Sequence, residues 1–153
     1  MPGKPAAPET PLQRFVGSWR GEVTIEATGA EPQRYVQENT FAWILGGLFL
    51  EERGTGSNGS SFLGVWSRDA RSPKYEAHYF LAPSAEAVVL IHEWDESNQR
   101  FVGTAELGGG VRMSAEDTFL DADTYEWSVT VRDGAGRTLS SMRARERRVR
   151  SHG

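Results

Sequence analysis

The 153-residue sequence has no cysteine, which excludes disulfide bonds, thiolate catalysis and thiolate metal sites. A chain without cysteine suits a reducing compartment, and we expect the protein to be cytoplasmic. Long apolar runs are lacking as well, since nothing approaches the roughly 18 apolar residues of a membrane-spanning helix. The start of the chain is rich in proline and has no apolar segment. Residues 1–9 are therefore expected to form a disordered tail and not a signal peptide or an anchor.

Lysine is scarce: the 17 basic residues are 15 arginines and two lysines, and the net charge is −4. This balance argues against bulk attraction to polyanions, so we expect neither nucleic acid nor membrane as a partner. Arginines do cluster between Arg143 and Arg150. They form either a phosphate-binding patch or the outward face of a last strand that runs into a polar tail, residues 150–153. The sequence is compatible with a homodimer.

Aromatic and β-branched runs alternate with turn residues roughly every 8–12 positions, a pattern typical of an all-β sandwich or barrel. The length fits one domain, expected over residues 10–149. A short helical turn is predicted at its start, from Thr10 to Val16, with Thr10 as N-cap and Pro11 at the first helical position. Ten strands are predicted after it, at roughly residues 19–28, 34–43, 48–55, 61–67, 74–82, 87–94, 100–107, 111–119, 124–132 and 138–148.

Two glycine-containing turns, Gly108 to Gly110 and Asp133 to Gly136, allow the flanking strands to be put into register. Each register places apolar residues opposite one another on one face and opposite charges on the other. The predicted pairs are Leu107–Val111, Ala105–Met113 and Glu106–Arg112 in the first hairpin, and Trp127–Met142 and Glu126–Arg143 in the second. The second register turns Arg143, Arg145 and Arg147 outward, which favours the strand-face interpretation of the basic cluster.

Extended to the neighbouring strands, the alternation predicts an inner face of large aromatic residues around a layer of small ones. A ten-stranded barrel is wider than ordinary side chains fill, so the small layer predicts a cavity, widest at Gly103 and Ala115. The alternative is that the glycines mark only bends or bulges. The candidate ligand-binding residues on this face are Trp66, Tyr75, Tyr79, His92, Trp94, Gly103, Ala115, Asp117, Trp127 and Met142.

Three features together resemble a known group of proteins. They are the Gly-x-Trp-x-Gly segment at residues 17–21, the double-glycine turn within Ile44 to Leu50, and a recurring hairpin with aromatic ends, as in Trp66 to Tyr75 and Trp94 to Phe101. The sequence looks like the bacterial calycin-like proteins of unknown function, related in architecture to nitrobindins and fatty-acid-binding proteins, over roughly residues 12–148. The resemblance implies a ten-stranded antiparallel up-and-down barrel, lipocalin-like, with a lumen open at one end.

The ligand-holding residues of those relatives are absent. Nitrobindin-type barrels have a further glycine where this chain has Glu22-Val23, and they hold haem through a histidine late in the barrel, where this chain has only His152 in its tail. Fatty-acid-binding proteins use an Arg-x-Tyr pair in the last strand, which does not occur here. We therefore expect no haem and no other cofactor, and the absence of metal-ligand spacings predicts no metal site.

Two polar residues on the predicted inner face carry the chemical hypotheses. His92 lies among small neighbours one layer from Asp117, and it is either a ligand anchor, half of an acid–base pair, or a satisfied core histidine. Asp117 would be costly to bury without a partner, and a one-residue shift of its strand would turn it outward. The Asn58-Gly59 turn leaves open whether Glu52 or Arg53 faces the lumen.

No catalytic signature is present, so the sequence favours binding over catalysis. We predict that the barrel interior binds a small apolar or aromatic molecule, with Tyr79, His92 and Asp117 as polar anchors. The alternatives are a small isomerase or hydrolase that uses His92 with Asp117, and a structural domain with a solid interior.

Overall fold

The computed structural model describes residues 10–68 and 71–150. The predicted N-terminal tail, residues 1–9, lies outside this part of the chain. So does the predicted C-terminal tail, residues 150–153, except for Arg150. The strands are β1 (Gly17–Ala27), β2 (Gln33–Ile44), β3 (Phe49–Gly56), β4 (Ser61–Arg68), β5 (Lys74–Ala82), β6 (Glu86–Asp95), β7 (Arg100–Gly108), β8 (Val111–Asp121), β9 (Thr124–Arg132) and β10 (Thr138–Val149). Each pairs antiparallel with its neighbours in sequence, and β1 pairs with β10 to close the sheet. The predicted ten-stranded up-and-down barrel is confirmed.

The predicted helical turn is a 3-10 helix, Pro11–Phe15, capped by Thr10. The Thr10 hydroxyl accepts a hydrogen bond from the Leu12 N–H at 3.3 Å. Side chains three residues apart are eclipsed in a 3-10 helix, so Leu12 and Phe15 point the same way, and both are buried. Within residues 10–68 and 71–150, no helix has the length and apolar character needed to span a bilayer.

This helical turn closes one end of the barrel because Phe15 lies in a cluster of aromatic rings. Its ring centroid lies 4.7–5.6 Å from those of Phe41, Phe119, Tyr125, Trp66 and Phe101. The Trp19 indole N–H donates to the Phe15 carbonyl at 2.7 Å. Arg148 covers the Trp19 ring at 4.3 Å and donates to the carbonyls of Val16 and Arg14. The closed end is thus a core of packed aromatic rings.

The hairpin registers are correct in part. Ala105–Met113 and Glu106–Arg112 pair as predicted, but a bulge places Gly108 opposite Val111, so the Leu107–Val111 pairing is wrong and Leu107 is exposed. In the β9–β10 hairpin the predicted pairs are wrong by two residues. The observed pairs are Trp127–Ala144, Val129–Met142 and Glu126–Arg145.

The error at β9–β10 has a local cause. The Asp133 N–H bonds to the Arg137 carbonyl, which makes the loop one residue longer than expected, and a bulge between Thr138 and Ser140 adds another. A shift of two residues preserves the faces of a strand, so the arginines stay outside. Arg143 pairs with Glu26 at 3.2 Å and Arg145 with Glu126 at 2.7 Å. These exposed ion pairs support the strand-face interpretation of the basic cluster.

The inward glycines do not leave open space. A Cβ added to Gly103 would lie 2.4–2.8 Å from atoms of the His92 ring, and one added to Gly64 would lie 2.6–3.1 Å from the Tyr79 ring. Each glycine stands directly opposite the aromatic residue that covers it. The expectation that Gly103 marks the widest part of the cavity is therefore wrong, because its missing side chain lets the neighbouring ring lie flat across the strand.

We predict that Phe15→Ala lowers the free energy of unfolding by about 3–5 kcal/mol, because it empties the centre of the aromatic cluster. Urea unfolding followed by tryptophan fluorescence measures this loss. Phe80→Ala is the matched control: Phe80 is half exposed on the outer face, so we expect a loss of about 1 kcal/mol or less. Equal losses in the two variants would show that the helical turn is not part of the core.

Candidate functional site

The half of the barrel away from Phe15 encloses a cavity of about 390 Å³. It reaches the β3–β4 loop at Asn58 and Ser60 and the β5–β6 loop at Pro83 and Ser84. Its floor is shared with the closed end, since Trp66 and Tyr125 line it and also contact Phe15. The walls are mostly apolar, formed by Phe62, Leu81, Leu90, Met113, Trp127 and Met142 among others.

Glu52 is the centre of a hydrogen-bond network at the cavity wall. Its carboxylate accepts from the Tyr79 hydroxyl at 2.7 Å and from the Asn39 amide at 2.9 Å. The Tyr79 oxygen in turn accepts from the Trp66 indole N–H at 2.9 Å, and the Asn39 amide also reaches the Tyr125 hydroxyl at 3.3 Å. Burial raises the pKa of Glu52 from 4.5 to about 7, against the lowering effect of these donors.

The structure settles which β3 residue faces the lumen. Glu52 is 6% exposed and lines the cavity, whereas Arg53 points outward and pairs with Glu51 at 2.7 Å. Alternation along β3 requires one of the two to face inward. The register of β3 with β2, where Glu52 stands opposite Phe41 on the inner face, decides in favour of the carboxylate.

Asp117 faces the lumen, as its place in the β8 register predicted, opposite Phe101 and Trp127. It lines the cavity, and among the described residues no donor or cation contacts its carboxylate. Burial raises the pKa of Asp117 well above its usual value, and the nearby Glu52 raises it further. Asp117 is therefore an inward carboxyl group without a structural partner.

A third carboxyl group, Glu146 on β10, is fully buried behind the cavity wall. Its Oε1 accepts from the Trp127 indole N–H at 3.1 Å and from the Gln37 amide at 3.2 Å, while its Oε2 has no partner in the described structure. Burial raises its pKa. Glu146 was not among the site residues predicted from the sequence, although Arg145 and Arg147 on either side of it were predicted to face outward and, by alternation, the residue between them faces inward.

His92 lies in the wall against Trp66, with ring centroids 4.4 Å apart and nearly stacked. It is 1% exposed, and burial lowers its pKa from 6.5 to about 4, so the ring is neutral near pH 7. Its Nδ1 has no hydrogen-bond partner in residues 10–68 and 71–150, and nothing joins it to Asp117 there. The hypothesis of a His92–Asp117 acid–base pair thus loses its geometric basis.

Seven of the ten predicted lining residues border this cavity: Trp66, Tyr79, His92, Ala115, Asp117, Trp127 and Met142. Gly103 is covered by His92. Tyr75 and Trp94 instead belong to the closed end, where their rings lie 5.3 and 4.8 Å from Phe101. They were assigned to the lumen because Trp66, Tyr75 and Trp94 were expected to stand opposite one another, and the β4–β5 and β5–β6 registers each differ from that expectation by two residues. Trp66 pairs with Ala77 and Tyr75 with His92.

Other candidate sites are weaker. A concavity of about 880 Å³ lies along β1 to β6, but it is an open surface groove whose lining includes the exposed Arg20–Glu38 ion pair. The buried polar side chain among its lining residues, Asn39, already donates to Glu52 and Tyr125. In the described part of the chain, no three His, Asp or Glu side chains are placed to hold a metal ion.

Comparison with solved structures identifies the architecture. The barrel is similar to Rv2717c from M. tuberculosis, with a TM-score of 0.71 and 18% identity over 91% of this chain and 95% of that one. The S-type phycobiliprotein lyase CPES from Guillardia theta gives a TM-score of 0.63 and 14% identity over 92% and 91% of the two chains. The chain thus shares its barrel fold with these two proteins.

A third similar structure is a protein of unknown function of the DUF3598 family from Nostoc punctiforme, with a TM-score of 0.64 and 11% identity. The match covers 90% of this chain but only 48% of that protein. Neither a family model nor a curated protein matches the sequence. Identities this low establish the likeness of fold alone.

We predict that the Glu52 carboxyl makes the protein less stable as pH rises. A carboxyl whose pKa is raised by folding contributes stability that is complete below its unfolded pKa of 4.5 and is lost as pH rises through about 7. The stability of Glu52→Gln relative to the natural protein should therefore rise by about 2 kcal/mol between about pH 5 and pH 8. Urea unfolding across this range measures the difference.

The opposite contribution of His92, whose lowered pKa costs stability as pH falls below 6.5, is common to both proteins and cancels. Glu51→Gln is the control, because it makes the same chemical change one residue away on the outer face. Its stability relative to the natural protein should not vary with pH. Parallel pH profiles for Glu52→Gln and the natural protein would show that Glu52 ionises as freely as an exposed carboxyl group.

Proposed function

We propose that the protein binds a small molecule with an apolar or aromatic body in the lumen of the barrel. The observation that carries this proposal is the cavity of about 390 Å³, whose wall is mostly apolar and carries the polar groups of Glu52, Tyr79 and Asp117. Ligand sites typically enclose about 300–1,000 Å³ and combine apolar walls with a small number of placed polar groups. A calycin-like barrel with a solid interior would show no such space.

The polar groups at the wall are well suited to orient a ligand. Tyr79 and Glu52 are held in place by hydrogen bonds to Trp66 and Asn39, so their positions are set before a ligand enters. Preorganised polar groups reduce the entropic cost of binding. Asp117 adds a group whose hydrogen-bonding capacity is unused by the protein itself.

Likeness of fold to a phycobiliprotein lyase is consistent with small-molecule binding and does not identify the ligand. The apolar wall and the aromatic rings of Trp66, Trp127 and Phe62 favour a compact ligand with at least one ring. The ligand would enter between the Asn58–Ser60 and Pro83–Ser84 segments, where the cavity reaches the loops.

We predict that the neutral dye Nile red gains fluorescence on binding the natural protein and that Ala115→Leu abolishes this gain. Ala115 lines the cavity, so the added carbons occupy space that a ligand needs. Overpacking a filled core lowers the free energy of unfolding by about 1–3 kcal/mol, whereas filling a cavity costs little. The free energy of unfolding of Ala115→Leu, measured in urea, should therefore differ from that of the natural protein by less than about 1 kcal/mol. A fluorescence titration and an unfolding curve for each protein are the measurements.

Ser114→Leu is the matched control, since Ser114 lies one residue along β8 and faces outward. It should leave dye binding unchanged. Dye binding that survives Ala115→Leu, or a natural protein that binds no apolar dye, would show that the lumen is not the binding site.

A further inference from the structure

We propose that the ligand is an organic cation, a protonated amine or quaternary ammonium joined to an apolar body, with its charged end between Glu52 and Asp117. This inference rests on the proposed use of the lumen as a binding site. It adds the charge of the ligand, which neither the fold nor the apolar walls specify.

The charges around the lumen are of one sign. Glu52 and Asp117 line the cavity and Glu146 lies behind its wall, whereas no lysine or arginine among the described residues lines it. Arg148, on the inner face of β10, lies at the closed end, where its guanidinium donates to the carbonyls of Val16, Arg14 and Ala122 and pairs with Asp123. The lumen thus has carboxyl groups and no cation of its own.

Asp117 supplies the decisive observation. Glu52 and Glu146 each accept two hydrogen bonds from protein donors, so both have a structural role. Asp117 accepts none within the described structure; it is half-buried, and its side chain lines the cavity, where a ligand can reach it. A second polar group at the wall, the 1%-exposed His92, also has an unpartnered nitrogen. A cationic group would supply the donor or the counter-charge that Asp117 lacks.

Aromatic rings complete a site for a cation. Trp66, Trp127 and Tyr79 line the cavity together with Glu52 and Asp117. The faces of such rings attract ammonium groups, most strongly where water is excluded. The half-buried Trp127 already uses its indole N–H toward Glu146, so it offers a ligand its ring surface and not its donor. Trp66 is stacked against His92 and donates to Tyr79, which is itself half-buried at the cavity wall.

Without a ligand, we expect Glu52 and Asp117 to be neutralised by protons. When a cation binds, its charge takes over this role. Burial raises the pKa of Glu52 and of Asp117, Glu146 raises that of Glu52 further and Glu52 raises that of Asp117 further, so both are protonated more readily than free carboxyl groups. The other titratable groups around Glu52 are Tyr35, Tyr79, His92, Tyr125 and Glu146. The pKa values of the three tyrosines are raised and that of His92 is lowered, so these four stay neutral between about pH 5 and pH 8. Affinity for a cation should therefore rise with pH as the carboxyl groups ionise.

The test uses two probes of the same shape, phenyltrimethylammonium and the neutral tert-butylbenzene, each titrated as a competitor of Nile red. Neither probe titrates, so any pH dependence belongs to the protein. We expect the cation to bind about tenfold more tightly than its neutral counterpart near pH 8, and this preference to shrink near pH 5. The natural protein suffices for this measurement.

Variants then assign the effect to residues. Asp117→Asn and Glu52→Gln should each weaken phenyltrimethylammonium about tenfold and leave tert-butylbenzene unchanged. The matched controls are Glu116→Gln and Glu51→Gln, which alter the outward neighbours of the same two residues and should change neither probe. Asp117→Asn should also be more stable than the natural protein near pH 8, because Asp117 has no partner to lose.

The outcomes separate the two proposals. Equal affinity for both probes at every pH would overturn the cation inference and leave the lumen as a binding site. Failure of Nile red and of both probes to bind would overturn the proposed function itself. A preference for the cation that persists in Asp117→Asn and in Glu52→Gln would overturn the assignment of these carboxyl groups.

Discussion

The packing of Phe15 into one end of the barrel determines where everything else in the interior lies. A ten-stranded barrel is too wide to be filled by its own strand residues, so an additional group must occupy the lumen or leave it open. The ring of Phe15, surrounded by Phe41, Phe119, Tyr125, Trp66 and Phe101, fills one half. The cavity begins where this cluster ends, and Trp66 and Tyr125 belong to both.

The two halves differ in how their polar groups are satisfied. At the closed end, Trp19 and Arg148 donate to backbone carbonyls of the N-terminal segment, and the polar groups there stabilise the closure. In the open half, Glu52 and Glu146 are held by donors on neighbouring strands, while Asp117 has none within the described structure. An inward polar group that does not stabilise the fold is typical of binding sites, where residues needed for function often lower the stability of the protein.

Much of this arrangement follows from patterns a few residues long. The alternation of apolar and polar residues predicted all ten strands and assigned the correct face to Asp117, His92 and the outward arginines, because a strand has a period of two residues and each face meets a different environment. Register errors of two residues left these faces unchanged. They did move residues along the barrel, and for that reason Tyr75 and Trp94 were placed in the lumen instead of at the closed end.

The sequence by itself determined the strand count and which side chains point inward, since these depend on local alternation and turn chemistry. The up-and-down barrel was expected from the family resemblance. Only the tertiary structure decided the height of each residue along the barrel, because bulges and loop lengths such as those at Gly108 and Asp133 shift one strand against the next. It also decided that His92 fills the space beside Gly103, and that Glu52, Asn39 and Tyr79, from three different strands, form one network. Whether two residues far apart in the chain come into contact depends on the registers of all the strand pairs between them. A pattern a few residues long does not determine these registers together.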